Sequence, residues 1–149
     1  MLQTYLPFKN IYPSVSVLTD DQLCKQRVDA KKILDTLANK SQTYRHHPAV
    51  KMWEGYENLL MAYMTECMMA WMKRGYSNNM EMHSIPYTQV TLPLWWGGPI
   101  HSSHRARLLY DNPEHYGKTR VGKKVPAHVL YRNIQPKFYW PVKHNGQLR

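Results

Sequence analysis

Apolar side chains recur with helical spacing in two long stretches of this chain. Across residues 19–39, Leu23, Ala30, Ile33, Leu34 and Leu37 fall on one stripe when successive positions turn by about 100°. Across residues 49–74, Val50, Trp53, Leu60, Met64, Met68 and Trp71 do the same. The flanks agree with two helices. Thr19 and Gln22 make a capping box, and Asp20 and Asp21 suit the positive end of a helix. Pro48 fits the first turn of the second helix, and Gly75 is a stop after Lys73 and Arg74. Each stripe contains one charge, Arg27 in the first and Glu57 in the second. If the stripes pack face to face, an Arg and a Glu enter one interior, where a charge is costly unless it is paired or used. One outcome is a structural Arg27–Glu57 ion pair. The other is Glu57 as a general base or as a stabiliser of a developing cation.

The rest of the chain is less periodic. Residues 1–18 mix aromatic, Pro and β-branched residues and read as an irregular or extended arm. Residues 40–47 are a polar loop, and 77–98 read as loop with Pro86, Pro93 and Gly97-Gly98. The apolar run 92–96 is expected to cover the helix pair. A short third helix is expected over about 101–110, before Pro113. The expected fold is mostly α: a compact single domain over 1–149, with an arm (1–18), a helical core (19–110) and a basic, loop-rich C-terminal segment (111–149) packed on that core. Tyr139, Trp140 and Pro141 are its expected anchor. The Met-rich face of the second helix reads as core filling.

Composition narrows the partners. The chain has 149 residues, a formal charge of +10 and a pI of about 9.7. That balance favours a polyanion, nucleic acid first. The charge is uneven: residues 101–149 hold ten Lys or Arg and two acids. Eleven Tyr and five Trp suit wet stacking surfaces. Cys24 and Cys67 form no CxxC pair and read as buried thiols. No signal peptide and no membrane span is legible, so a cytoplasmic monomer is expected.

Several clusters could carry chemistry. Lys25 and Asp29 lie four apart on the first helix, so a surface pair is the simple reading. Gln22, Gln26 and Asp29 share the edge beside the apolar stripe, and Arg27 is predicted to point inward. His101, His104 and Arg105, with Ser102 and Ser103, start the third helix, where free N–H groups favour phosphate. His101 and His104 are only weakly compatible with a metal, with His115 the one further ligand in view; no metal and no cofactor is expected. The tail interleaves Lys118, Arg120, Lys123, Lys124, Arg132 and Lys137 with Tyr131, Tyr139 and Trp140, as a nucleic-acid groove would. No P-loop, dinucleotide fingerprint, zinc-finger spacing or GxSxG is present.

The segments QTYLPF, LCKQRVDAKKIL, RHHPAVKMWEGYE, KRGY, LPLWWG, HSSHRARLL, NPEHYG and FYWP occur here in one order. In that order the chain resembles an uncharacterised bacterial and phage branch of the pyrimidine-dimer DNA glycosylase, or endonuclease V-like, family. The likeness to that branch runs over roughly residues 3–141. The likeness to the family's founder rests on the arm and the first two helices. The resemblance implies a helical enzyme that excises a damaged or modified pyrimidine from double-stranded DNA with a flipped base, with abasic-site lyase activity as a further expectation. It also implies a bacterial or phage-infected cell. A Schiff base through an N-terminal amine and a charge-stabilising Glu are implied as well. By position that Glu falls on Asp29, Lys32 takes the place of one DNA-gripping arginine, and Arg27 lies one residue from another. Two departures matter. Leu2 is bulky, so Met1 is expected to stay, leaving the amine of Met1 or Lys25 as nucleophile. Asp29 is one methylene shorter than Glu. The expected catalytic set is Asp29, Glu57, Lys25 and Met1. The expected DNA contacts are Arg27, Lys32, His101, His104, Arg105, His115, Lys123 and Lys124. The rivals are a non-catalytic nucleic-acid-binding protein and an enzyme of free or modified nucleotides.

Overall fold

The structure is a computed structural model that describes residues 1–124, 135–141, 143–144 and 147–148. Among the described residues seven α-helices follow in order: α1 (Ile11–Ser16), α2 (Asp20–Leu37), α3 (Pro48–Lys51), α4 (Glu57–Lys73), α5 (Pro99–Asp111), α6 (Pro113–Tyr116) and α7 (Arg120–Lys124), with a single 3-10 turn at Tyr87–Gln89. Lys143–His144 and Gln147–Leu148 pair as a two-residue antiparallel ladder. None of the described helices is long and apolar enough to cross a membrane.

The chain is mostly helical, and the packing of α2 against α4 is its centre. Thr19 caps α2 by accepting the Gln22 N–H, while its hydroxyl donates to the Gln22 side chain, and two aspartates occupy the first turn. Leu23, Ala30 and Ile33 of α2 meet Leu60, Tyr63, Met64 and Met68 of α4 in one buried cluster. Pro48 starts α3, as its fixed φ favours.

The structure corrects three expectations about elements. The single helix expected over 49–74 is two helices. Gly55, at φ +88°, turns the chain between them. The break sends Trp53 wholly into the core, where its indole N–H donates to Thr4 Oγ1 at 3.1 Å and its ring meets Trp95 edge-on at 5.2 Å. The arm contains α1, and the basic tail contains α6 and α7. Within 92–96 the cover is partial: Pro93 and Trp95 are buried and Trp96 packs half-buried against the core, while Leu92 and Leu94 are exposed, Leu94 to 88%.

Residues 1–8 form no regular element, yet Leu2, Gln3, Thr4, Leu6, Pro7 and Phe8 are buried. Buried backbone groups must find partners, and here side chains supply them. Gln3 N–H donates to Asp29, Tyr5 N–H to Gln26, Leu6 N–H to His104 and Phe8 N–H to Ser14. The carbonyls of Tyr5, Pro7 and Phe8 accept from Tyr63, Arg105 and Ser14. The arm is thus threaded between α2, α4 and α5 by residues distant in sequence.

Candidate functional site

Lys25, Asp29 and Lys32 lie on the side of α2 that meets the start of the arm. Asp29 Oδ2 accepts the Gln3 N–H at 3.3 Å and Lys25 Nζ at 2.5 Å. Lys25 Nζ also donates to the Met1 carbonyl at 2.5 Å. Met1, Lys25 and Asp29 therefore share one hydrogen-bonded cluster. The pair is not the surface bridge that spacing suggests: the Asp29 side chain is 3% exposed and that of Lys25 48%. A buried carboxylate, with an ammonium at its opening and the exposed Met1 beside it, can stabilise positive charge developing on a bound group.

The surroundings are polar as well. Gln26 Oε1 accepts from the Tyr5 N–H at 2.7 Å and the Tyr63 hydroxyl at 2.8 Å. Gln3 Oε1 accepts from the Thr4 N–H. The Nε2 groups of both glutamines are buried with no partner among the described residues, two amide donors to spare in this cluster. His47 is a neighbour that sequence reading missed, because it sits in a polar loop as the N-cap of α3. Its Nδ1 accepts the Ala49 N–H at 3.0 Å, so Nε2 carries the ring proton. Burial lowers its pKa, the N-terminal ammonium lowers it further, and Asp29 opposes both. Its ring edge meets Trp140 at 5.7 Å and Tyr44 at 6.3 Å. Lys32 is exposed, with Nζ 6.0 Å from the Tyr44 ring.

At the start of α5 the histidines do not face outward. His101 Nε2 accepts the Gly97 N–H at 2.9 Å, so Nδ1 holds the proton and donates to the Leu6 carbonyl at 2.8 Å. His104 Nδ1 accepts the Leu6 N–H at 2.8 Å. The two rings clamp both backbone groups of one arm residue. Both are buried, His104 completely, and both are neutral: burial lowers the His101 pKa and pushes that of His104 down to about 3. The expectation that His101 and His104 contact phosphate is corrected, because both His101 nitrogens are taken and His104 has no exposed surface. Arg105 is half-buried, with Nη1 2.7 Å from the Pro7 carbonyl.

The expected Arg27–Glu57 pair is absent. Arg27 does point inward, 7% exposed, but it bonds Asn78 Oδ1 at 2.8 Å and Cys24 Sγ at 3.4 Å and lies 4.9 Å over the Trp71 ring. It is no surface contact for DNA. Glu57 is half-buried at the first turn of α4, where Oε1 accepts the Gly55 N–H at 3.2 Å. The break after α3 takes it off the stripe that sequence periodicity assigned it. His115 donates from Nε2 to the Val17 carbonyl at 2.8 Å and borders a hollow also lined by Asp20, Asp21 and Arg74, where Arg74 is already paired with Asp20. Lys123 and Lys124 are exposed at the end of α7. Tyr131 and Arg132 lie outside the described residues.

Among the described residues no three His, Cys, Asp or Glu side chains are grouped to hold a metal ion. Cys24 and Cys67 are free thiols. In comparisons with known proteins, the model of a family described as pyrimidine dimer DNA glycosylase matches residues 2–84. That span holds the arm, α2, α3 and α4, and with them Lys25, Asp29, Lys32 and His47. No curated protein and no solved structure matches the chain.

Proposed function

The chain belongs to the pyrimidine dimer DNA glycosylase family, and from that premise we propose that it is a base-excision glycosylase for damaged or modified pyrimidines in duplex DNA, with abasic-site lyase activity. The observation that carries this reading is the buried Asp29 carboxylate, bonded to Lys25 and sharing that ammonium with the Met1 carbonyl. The bond to the base breaks with positive charge growing on the sugar, and a desolvated carboxylate lowers that barrier most when it is fixed beforehand. In this reading Asp29 supplies the charge, and the amine of Met1 or Lys25 supplies the nucleophile. The amine attacks C1′ as the base leaves with the bonding electron pair. Loss of the amine proton and opening of the sugar ring then give the imine. Lys32, Arg105, Lys123 and Lys124 are the proposed DNA contacts, and a flipped nucleotide brings C1′ within reach.

Borohydride capture tests this directly. The protein is incubated with duplex DNA carrying an abasic site and reduced, and the product is examined for a covalent adduct. An adduct is expected, and peptide mapping assigns it to Met1 or Lys25. Asp29→Asn should slow both capture and base release from dimer-containing duplex by on the order of a hundredfold, at near-unchanged duplex affinity. Base release with no adduct would remove the amine mechanism and leave a water-using glycosylase. Neither adduct nor release, with DNA still bound, would leave a binding protein.

A further inference from the structure

A hollow of about 410 Å3 opens where the arm, the Gly97-Gly98 turn, α5 and α7 meet. Four cations line it, Lys9, Arg105, Arg120 and Lys124, and no carboxylate lies among its walls. None of the four takes part in an ion pair among the described residues. Arg120 and Lys124 lie four apart on α7 and sit over the same Phe8 ring, at 5.5 and 5.6 Å from its centroid. Arg105 keeps Nη1 on the Pro7 carbonyl, while its Nε is buried without a partner among the described residues. Arg105 and Lys9 both line the hollow beside His101, and the Lys9 side chain lies along Gly97. Ser102 on the first turn of α5 spends its hydroxyl proton on the Pro99 carbonyl at 3.0 Å, and Gly98 caps that helix with no side chain of its own, so the cations are the groups left to meet an anion.

Like charges gathered around one hollow repel each other, and an anion that enters removes the cost. The chemistry of the walls sorts the anions. Arginines and lysines arranged around a centre suit a group with several acceptor oxygens. Phe8 is already covered by Arg120 and Lys124, so no bare aromatic face is left for a nucleobase to stack on. Arg120 and Lys124 are exposed, so a polymer can reach them from outside. We propose that this hollow holds one backbone phosphate of duplex DNA, as an anchor separate from the Asp29 cluster. The proposal rests on the DNA-binding reading above and extends it to residues beyond the matched span.

The arm sets a ruler between the two places. Gln3 is bonded to Asp29 and Phe8 lines the hollow. Five residues of fully extended chain span at most about 18 Å. At about 3.4 Å of axial rise per nucleotide on each strand, that span equals roughly five to six base pairs, which is the scale on which the anchored phosphate should lie from the reacting sugar.

The test combines changes in protein and DNA. Lys9, Arg120 and Lys124 are exposed, so the variant Lys9→Ala/Arg120→Ala/Lys124→Ala should fold, and Arg105 is left to hold Pro7. Equilibrium binding to undamaged duplex is measured across a salt series. The variant should bind on the order of tenfold more weakly, with a log–log salt slope shallower by about one. Neutral methylphosphonates placed one at a time should then reveal a position, within roughly six base pairs of an abasic site, that weakens the parent protein and leaves the variant unchanged. Equal affinity and equal slope in the two proteins would overturn the proposal. So would a thermal upshift by inorganic phosphate in the parent alone with duplex binding unaltered, since the hollow would then serve a small phosphate. Because binding is measured without turnover, a protein that releases no base but loses affinity in the variant would refute catalysis and keep the anchor.

Discussion

Acidification should loosen the arm through His104, and the size of the effect follows from its burial. The ring is fully buried and neutral, its Nδ1 accepts the Leu6 N–H, and its pKa lies at about 3. In the unfolded chain the same group titrates near 6.5. Below that value the unfolded state takes up a proton that the native state refuses. The native state therefore loses stability as pH falls, by about 1.4 kcal/mol for each unit until the native pKa is reached. Between about pH 7 and pH 5 the loss amounts to about 2 kcal/mol, a large share of a typical domain's stability. His101 and His47, whose pKa values are also lowered mainly by burial, act in the same direction. The contribution of His104 is isolated by His104→Gln, which keeps an acceptor for Leu6 and cannot titrate in this range. Urea unfolding of both proteins at several pH values gives two stability curves. The variant should be less stable near neutrality, because its fit is poorer, and its curve should be flatter by about 2 kcal/mol over those two pH units. Parallel curves would show that His104 does not stay neutral in the folded protein, and the clamp as described would be wrong.

Three further outcomes follow from the contacts. Glu57→Gln keeps a carbonyl for the Gly55 N–H, so stability should change by less than about 0.5 kcal/mol and base release should persist; a collapse of turnover would restore Glu57 to the chemistry. Arg27→Ala removes the partner of Asn78 and the cation over Trp71. It should cost about 2–4 kcal/mol in urea unfolding and leave the DNA salt slope unchanged. At Gly55 a Cβ would meet nothing within 4 Å, but φ is +88°, so Gly55→Ala should cost about 1–2 kcal/mol in thermal unfolding, from backbone strain alone.

The helices whose signals are local were legible in the sequence. Thr19 and Gln22 mark the start of α2, Pro48 marks α3, and the helix expected over about 101–110 is α5, which begins two residues earlier at Pro99. The break before α4 was hidden because Trp53 and Leu60 keep helical spacing across it, and only Gly55 hints at a turn. That single misreading sent Glu57 into the interior and gave it a partner it does not have. The inward direction of Arg27 was readable from its place on the stripe, but Asn78 and Trp71 were not, since Asn78 lies in an aperiodic loop. The burial of Asp29 was hidden for a related reason. What covers it is irregular backbone, and irregular backbone leaves no periodic trace. The same holds for His101 and His104, whose partner is one residue of the arm.

The arm that holds these groups has its partners far down the chain. Leu6 N–H waits for His104 and the Pro7 carbonyl for Arg105, each 98 residues later. During synthesis at about 5–20 residues per second, these two backbone groups wait roughly 5–20 seconds for α5, although Asp29, Gln26 and Ser14 reach the arm earlier. Contacts of such long range also form late in folding, because the loop must close before they repay it. The arm is therefore made well before α5 and is among the last parts to be fully seated. A chain interrupted before α5 would lack the His104 and Arg105 partners of Leu6 and Pro7, and its arm would be held by α2 and α4 without α5.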